Sequence, residues 1–396
     1  MLRTNELRSF VRHKYHSIAP AVSIFDEGVM NMRLSTFRAF TDMGGNKRML
    51  LSLLGELDAV EERLKSGMPP VFSVATLLLS EFDPELVLQP MEDYCLWYQN
   101  LLRLSNCTSR YYHVRAIPKR SGGVRTLHVP FYELERWQRI ISDQVLPLLP
   151  VSEYAFAYRP GVSVRDNALP HLGKSFVVKI DLKDFFDHVT YQRVYGALIQ
   201  NHSYSRPFVT MVANLCCVNG HLPQGACTSP ALSNICFYRI DETIGRYCAK
   251  RGLTYTRYCD DLTFSGDNMN PYVVVYEICR MLRSFGFEPN EKKISVRHNG
   301  QRMSVTGITT NERLRVNKDY RKKIRQEIYF IQKFGIREHL LRGNDPQFVV
   351  NGRCRRKKYL RSLNGRIQYV LFVDPQDQEM MRYLQLVGKM LEKYIG

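Results

Sequence analysis

The sequence has no pair of cysteines with C-x-x-C spacing, although it contains 10 cysteines. Cys216 and Cys217 are adjacent, and the others are scattered through apolar stretches. Zinc sites and disulfide frameworks use regularly spaced cysteines, so this pattern indicates buried free thiols in a reducing compartment. No apolar run reaches the roughly 18 residues needed to span a bilayer, and residues 1–6 lack the apolar core of a signal peptide. We therefore expect a cytoplasmic protein that does not enter a membrane.

Acidic residues are scarce relative to basic ones. The 396-residue chain contains 56 Lys and Arg against 38 Asp and Glu, which gives a formal net charge of +18 and a pI near 9.5. This excess predicts an anionic partner, with nucleic acid as the first expectation and an acidic membrane surface as the alternative. The apolar content of 44% is ordinary for a soluble globular protein, and the length allows two or three domains.

Two adjacent carboxylates, Asp260 and Asp261, lie between aromatic and apolar residues. The surrounding residues 253–264 are rich in β-branched and aromatic side chains and end at a Ser-Gly turn signal, which predicts a β-hairpin with the acid pair at its bend. A regular strand would point the two acids to opposite faces, whereas a tight bend lets both approach one site. Taken alone, an Asp-Asp pair is more typical of a solvated turn.

A second acidic strand end changes this interpretation. The apolar run over 176–182 contains Asp181 close to its end. Three carboxylates from two neighbouring strands would form a hard-oxygen site suited to Mg²⁺, which completes its octahedron with water and substrate phosphates. Two such ions would hold the attacking and leaving oxygens of a phosphoryl transfer. The sequence therefore predicts a magnesium site at Asp181, Asp260 and Asp261.

Four further segments stand out, two upstream and two downstream of the acid pair; the first, a basic hairpin, could equally be a solvated edge or contact phosphate. A basic hairpin with a glycine turn is predicted over 111–130, and a Pro-Gln-Gly loop over 221–230 leads into a helix. Basic helical segments follow residue 318, and a second basic run extends over 353–361. Charge runs usually mark a solvated face, but two of them on helices of so basic a chain favour a surface that follows a nucleic-acid backbone.

The order of these motifs resembles that of the reverse transcriptases: a basic hairpin, an Asp strand followed by Phe-Phe, a Pro-Gln-Gly loop, Tyr-Cys-Asp-Asp and a downstream Lys. The resemblance covers about residues 111–310, with a looser likeness to the family's thumb beyond them. Within the family the chain is similar to the bacterial retron enzymes. Residues 167–171 match their Asn-Ala-x-x-His motif, and residues 305–307 match their Val-Thr-Gly motif, which is associated with recognition of the cognate RNA.

The resemblance implies an α+β right-hand polymerase. Its parts would be a helical N-terminal extension over 1–70, fingers over 71–175, a palm over 176–310 and a basic helical thumb over 311–396. Retron enzymes are usually shorter ahead of the basic hairpin, so the resemblance assigns no role to the extension. Two Mg²⁺ would be held by Asp181, Asp260, Asp261 and the backbone carbonyl of Leu182.

The resemblance also assigns residues to the nucleotide and to the RNA. Phe186 would be the steric gate that excludes a ribose 2′-hydroxyl, and Lys293, or its neighbour Lys292, would donate a proton to pyrophosphate. The other nucleotide contacts would be Lys119, Arg125, Gln224 and Gly225. The RNA contacts would be Asn167, His171, Val305, Thr306, Gly307, Arg355, Arg356 and Lys357.

The implied function is an RNA-directed DNA polymerase of retron type. Such an enzyme uses dNTPs to copy a cognate structured non-coding RNA into branched, RNA-linked single-stranded DNA (msDNA), in antiphage defence with an accessory effector protein. A group II intron-type reverse transcriptase is the first alternative, although the sequence shows no maturase or endonuclease segment after the thumb. A non-catalytic RNA-binding scaffold is the second, although a scaffold has no reason to keep clustered negative charge.

Overall fold

A computed structural model describes residues 100–118, 122–201, 204 and 206–393 of the chain. The predicted extension over 1–70, the first part of the predicted fingers over 71–99 and Lys119 lie outside the described residues. The described part combines α-helices with short antiparallel sheets, in agreement with the α+β prediction. None of its helices has both the length and the apolar character that crossing a membrane would require.

The elements are numbered along the described chain. The strands are β1 (Tyr112–Pro118), β2 (Val124–Pro130), β3 (Phe176–Asp181), β4 (Thr254–Tyr258), β5 (Asp261–Gly266), β6 (Ser295–His298), β7 (Ser304–Val305), β8 (Ile308–Thr309), β9 (Val349–Val350) and β10 (Arg353–Cys354). The α-helices are α1 (Tyr132–Ile140), α2 (Val164–Ala168), α3 (Phe185–His188), α4 (Tyr191–Ile199), α5 (Arg206–Cys216), α6 (Ser229–Ala249), α7 (Pro271–Ser284), α8 (Lys318–Gly343), α9 (Arg356–Val373) and α10 (Gln378–Glu392).

The chain divides into two compact units, each built from two chain segments. The first consists of Met1–Pro150 and Phe186–Cys236, and the second of Val151–Phe185 and Phe237–Gly396. The predicted boundaries of fingers, palm and thumb stay predictions.

The first unit contains the basic hairpin that the sequence predicts. Strands β1 and β2 pair antiparallel from Tyr112 opposite Pro130 to Pro118 opposite Val124. The buried side chain of Gln138 on α1 donates to the Tyr112 hydroxyl at 2.6 Å and to the Leu215 carbonyl of α5 at 2.8 Å. Gln138 therefore fixes the base of the hairpin to two helices.

The second unit is built on a four-stranded antiparallel sheet of order β4-β5-β3-β6. Strand β3 is flanked on both sides, and its side chains Phe176, Val178 and Ile180 are buried. A central strand with buried apolar residues reads in the sequence as a nearly continuous apolar run, which is why β3 was predictable. Its last residue is Asp181, at the end of the sheet where the β4–β5 hairpin turns.

The last helices of the second unit share an apolar core. On α8 an apolar stripe of Ile324, Ile328 and Ile331 is buried, and it belongs to the same cluster as Leu360 and Leu363 of α9. Basic residues surround this stripe, in keeping with the amphipathic pattern expected of a helix that buries one face.

Candidate active site

The three acidic residues predicted as metal ligands meet at one end of the sheet in the second unit. Asp181 of β3 lies directly opposite Asp261 of β5. Tyr258 pairs with Asp261, so Cys259 and Asp260 form a two-residue turn. The N–H of Leu182 donates to the carbonyl of Asp260 at 3.0 Å, which ties the end of β3 to this turn. We call residues 258–261 the catalytic turn.

Asp181 is held by two neighbours from the segment that follows α7. Lys293 Nζ lies 2.9 Å from Asp181 Oδ1, and Asn290 Nδ2 donates to Asp181 Oδ2 at 3.1 Å. The Asn290 N–H also donates to the Asp181 carbonyl at 2.7 Å. The structure thus brings Lys293 to the carboxylates, while Lys292 on the same 3₁₀ turn is exposed and makes no described contact with them.

Burial and mutual repulsion make the carboxylates of the turn hard to ionise. Burial is the main cause that raises the pKa of Asp260, and the charge of Asp181 adds to it. Asp261 keeps an exposed edge, but loss of water around its carboxyl, together with the charges of Asp260 and Asp181, raises its pKa to about 6. The hydrogen bond to Asp181 raises the pKa of Lys293, so its ammonium stays protonated. The site therefore combines concentrated negative charge with an ammonium bonded directly to Asp181.

The donor chemistry of this site fits a divalent cation. Carboxylate oxygens are the ligands that Mg²⁺ prefers, and a cation would relieve the repulsion that raises these pKa values. Within the described ranges, no group of three or more His, Cys, Asp or Glu side chains is placed so that it could hold a metal ion as it stands. Joint binding by the three acids therefore requires their side chains to move from the positions described here.

The residues predicted to contact the nucleotide belong to the first unit. The carbonyl of Gln224 accepts from the N–H of His128 in β2 at 2.7 Å. Gly225 has φ of 119°, and a Cβ there would lie 2.7 Å from the His128 carbonyl oxygen, so both its conformation and its surroundings require glycine. The Pro-Gln-Gly loop is thereby bonded to the same hairpin that carries Arg125, whose side chain is exposed.

The two phenylalanines after β3 differ in their surroundings. Phe185 is buried in the second unit, with its ring 5.7 Å from that of Phe237 and 5.9 Å from that of Phe287. Phe186 is only half-buried. Phe185 is the core residue of the pair, and Phe186 stays the candidate steric gate.

The two retron-type motifs lie next to each other in the second unit. Helix α2, which contains Asn167, begins with a capping box between Ser163 and Asp166. Thr306 and Gly307 form the turn between β7 and β8, with φ of 46° and 85°, and the Thr306 hydroxyl donates to the Val164 carbonyl of α2 at 3.3 Å. Val305 is buried and Gly307 is exposed.

Asn167 and His171 point into the protein. Both are 0% exposed. The ring nitrogens of His171 lie 2.7 Å from Ser265 Oγ and 2.8 Å from Thr256 Oγ1, and burial lowers its pKa to about 3. The side-chain oxygen and nitrogen of Asn167 are buried and have no hydrogen-bond partner among the described residues. The remaining predicted RNA contacts, Arg355, Arg356 and Lys357, are exposed at the start of α9.

Sequence reasoning missed two polar neighbours of the carboxylates. Asn290 contacts Asp181 through both its backbone and its side chain, and Lys179 partly offsets the effect of the other acids on the pKa of Asp261. Lys179 precedes Asp181 by two residues in a strand, so the period of two could have placed both on one face. No comparable signal marks Asn290, because its contact depends on how the loop after α7 returns to β3.

Comparison with known proteins agrees with the motif order. A sequence profile described as reverse transcriptase (RNA-dependent DNA polymerase) matches residues 117–321, just over half of the chain. The chain is 38% identical to the retron Mx65 reverse transcriptase of Myxococcus xanthus over 239 residues, which cover 56% of this chain and 56% of that protein. It is 29% identical to the retron Ec86 reverse transcriptase of Escherichia coli over 273 residues, 68% of this chain and 78% of that protein.

The match to Mx65 thus spans little more than half of that relative's length. Among solved structures, telomerase from Candida albicans has a TM-score of 0.42 at 14% identity, covering 77% of this chain and 60% of that chain. The profile and the retron relatives confirm the predicted resemblance and, with it, the right-hand polymerase fold class.

Replacing Asp261 by asparagine should stabilise the metal-free protein. Folding raises the pKa of this carboxyl from about 3.9 to about 6, so its ionisation opposes folding. The penalty is complete above about pH 6 and absent below about pH 4. With EDTA present, Asp261→Asn should therefore unfold at a higher temperature than wild type at about pH 8, and the gain should shrink on acidification.

The matched control is Asp267→Asn, one residue beyond β5. Hydrogen bonds from Ser175 and Lys174 lower the pKa of Asp267, so its ionised form favours folding. This variant should lose stability at the pH where Asp261→Asn gains it. If both variants changed the unfolding temperature in the same direction and by the same amount, ionisation of Asp261 would not be what opposes folding.

Proposed function

This chain belongs to the reverse transcriptase family, and we propose that it is an RNA-directed DNA polymerase that uses dNTPs to copy an RNA template. The observation that carries the proposal is the strand register that sets Asp181 opposite Asp261, with Asp260 on the turn between β4 and β5. A non-catalytic scaffold would gain nothing from carboxylates whose ionisation is opposed by burial and by each other.

Reverse transcriptases generally use divalent metal ions. Two Mg²⁺ would be held here by Asp181, Asp260, Asp261 and the Leu182 carbonyl. Bound Mg²⁺ would supply the positive charge that stabilises the attacking primer oxygen and the leaving pyrophosphate. The bond between Lys293 and Asp181 keeps an ammonium beside the carboxylates, from which Lys293 would pass a proton to pyrophosphate.

Nucleotide selection would be carried out by the residues that the family resemblance assigns to the nucleotide. Lys119 and Arg125 would contact the triphosphate from the basic hairpin, where the guanidinium fork suits phosphate oxygens. Gln224 and Gly225 would line the nucleotide pocket, and their bond to His128 would hold that loop in place. Phe186 would exclude the ribose 2′-hydroxyl.

The retron class is the finer part of the proposal. Two short motifs support it, and they are joined in the structure by the hydrogen bond from Thr306 to Val164. The relatives named retron reverse transcriptases support it as well. On this view the enzyme, in the bacterial cytoplasm, copies a cognate structured RNA into branched msDNA and acts with an effector protein in phage defence.

The start of α9 supports RNA binding by Arg355, Arg356 and Lys357. Cations at a helix N-terminus oppose the helix dipole, and the first turn of α9 contains no acidic residue to offset them. Such an arrangement is more favourable when an external anion, such as a phosphate, lies nearby. Asn167, His171 and Val305 are buried, so they would contribute to RNA binding indirectly, by supporting the exposed turn at Thr306 and Gly307.

Primer extension tests the polymerase activity directly. With Mg²⁺, dNTPs and a primed RNA template, wild type should yield DNA, and Asp260→Asn with Asp261→Asn should yield none while still binding RNA. RNA binding without product from either protein would favour the scaffold alternative.

A second experiment tests the retron class, with RNA transcribed from the genomic DNA next to this gene as the template. DNA that a 2′,5′-debranching enzyme separates from the RNA would support the retron class. DNA that is not joined to the RNA by a branch would favour the intron-type alternative.

Phe186→Ala should weaken the discrimination against ribonucleotides. Removing the ring leaves room for a 2′-hydroxyl, so the ratio of dNTP to rNTP incorporation should fall about tenfold or more, as for other single contacts in a pocket. Phe185→Ala is the control, since it opens the buried aromatic cluster and should lower stability rather than selectivity. If Phe186→Ala kept the wild-type ratio of dNTP to rNTP incorporation, another residue would be the steric gate.

Arg356→Gln with Lys357→Gln should reduce the salt dependence of RNA binding. Each phosphate contact that is lost should lower the slope of log K against log salt concentration by about one, measured by fluorescence anisotropy at several salt concentrations. Arg280→Gln is the control, because that side chain is exposed and already paired with Glu277. An unchanged slope in the double variant would remove these two residues from the RNA-binding surface.

A further inference from the structure

An ion pair that is fully buried ties the hairpin of the catalytic turn to helix α6. The guanidinium of Arg257 contacts the carboxylate of Asp241 through two nitrogens, with the shortest distances at Nε–Oδ1 (2.9 Å) and Nη2–Oδ2 (2.6 Å), and both side chains are 0% exposed. The Tyr255 hydroxyl also donates to Asp241 Oδ1 at 2.7 Å. Two parallel hydrogen bonds fix the plane of the guanidinium as well as its position.

The same guanidinium reaches the catalytic turn. Arg257 Nη1 donates to the backbone carbonyl of Cys259 at 3.1 Å. Cys259 immediately precedes Asp260 and has φ of 61°, in the left-handed region that residues other than glycine adopt only at a cost. The contact therefore holds a strained peptide next to the carboxylate pair.

The backbone of Arg257 is fixed as well. Its N–H donates to the Tyr154 carbonyl at 2.7 Å, and its carbonyl accepts from the Phe156 N–H at 2.8 Å. The guanidinium carbon lies 4.6 Å from the centre of the Phe237 ring. Arg257 thus cannot shift without disturbing helix α6 or the segment over 154–156, and its hold on the turn is rigid.

Fold stability alone is a weak reason for this arrangement. Removing two charges from water is costly, and replacing a buried ion pair by apolar residues of similar volume often leaves a protein equally or more stable. An apolar pair could pack α6 against β4, but it could not donate a hydrogen bond to the Cys259 carbonyl. The specific contribution of the pair is the orientation of the turn.

We propose that the Asp241–Arg257 pair positions the catalytic turn, so that Asp260 and Asp261 point to where the divalent ions would bind. Both are positioning residues, because neither would touch substrate. The inference rests on the proposed polymerase function. Hydrogen bonds connect α6, through Arg257 and the Cys259 carbonyl, to the turn that carries the carboxylates.

The test replaces the ion pair by an apolar one, Asp241→Leu with Arg257→Met. Thermal unfolding and RNA binding monitor the fold, and single-turnover primer extension at varied dNTP and Mg²⁺ concentrations monitors positioning. Because a displacement of about 1 Å can slow a reaction about 100-fold, we expect a loss of that size in maximal rate and a higher Mg²⁺ requirement. The dNTP half-saturation should stay close to wild type, and the unfolding midpoint should stay close to that of Tyr255→Phe, which loses the same bond to Asp241. A double variant with wild-type rate and Mg²⁺ dependence would overturn the proposal.

Two single variants keep the test informative if the double variant does not fold. Arg257→Lys keeps a charge opposite Asp241, but a single ammonium cannot reach both Asp241 and Cys259. We therefore expect this variant to lose about tenfold in maximal rate and to require more Mg²⁺. Tyr255→Phe removes a bond to Asp241 and leaves the contact with Cys259 in place. It should lower stability with little change in rate. Equal slowing by the two single variants would mean that lost stability, not positioning, is responsible.

Failure of the polymerase proposal would be separable from failure of this inference. If wild type extends no primer on any RNA or DNA template, the polymerase proposal fails. Mn²⁺ binding, measured by electron paramagnetic resonance on wild type and the double variant, then tests positioning alone. Weaker Mn²⁺ binding by the double variant than by wild type supports the inference, and equal Mn²⁺ binding contradicts it.

Discussion

Repulsion between carboxylates is the constraint around which the second unit is arranged. The β3–β5 register sets Asp181 opposite Asp261, and burial, together with the charge of Asp181, raises the pKa values of Asp260 and Asp261. The strand register is set by the apolar residues of β3 and β5 and not by the carboxylates. A slip by one residue would turn the buried face of β3, including Val178 and Ile180, towards the opposite side.

The carboxylates have polar neighbours of two kinds. Lys293 and Asn290 engage Asp181 from the segment after α7, where Lys293 is exposed and Asn290 is half-buried. The Asp241–Arg257 pair contacts the turn through the Cys259 carbonyl and is closed to solvent. Solvent therefore reaches the first kind and not the second, so the backbone of the turn is held by contacts that water does not weaken.

The elements that the sequence predicts well are those whose signal is local. Strand β3 is one apolar run, and the bend at Asp260 follows from aromatic and β-branched residues on both sides of an acid pair. The run over 191–217 forms two helices, α4 and α5, and the polar residues from Gln200 to Ser205, followed by Pro207, mark the break between them in the sequence. Contacts between distant elements were not predictable. Asp241 and Arg257 lie on a helix and a strand, and neither has a neighbour in sequence that indicates the pairing.

The Asn-Ala-x-x-His motif shows how a short motif can be recognised without its physical role being visible. His171 binds Thr256 of β4 and Ser265 of β5, the two strands that carry the catalytic turn, and its lowered pKa keeps it neutral at any physiological pH. A neutral, buried ring cannot attract phosphate. Its bonds instead link helix α2 to the sheet, and α2 holds the turn of the Val-Thr-Gly motif through Val164. If RNA binds at that turn, the sheet with the carboxylates and the RNA are connected through one short helix, and RNA recognition and catalysis then share a structural support.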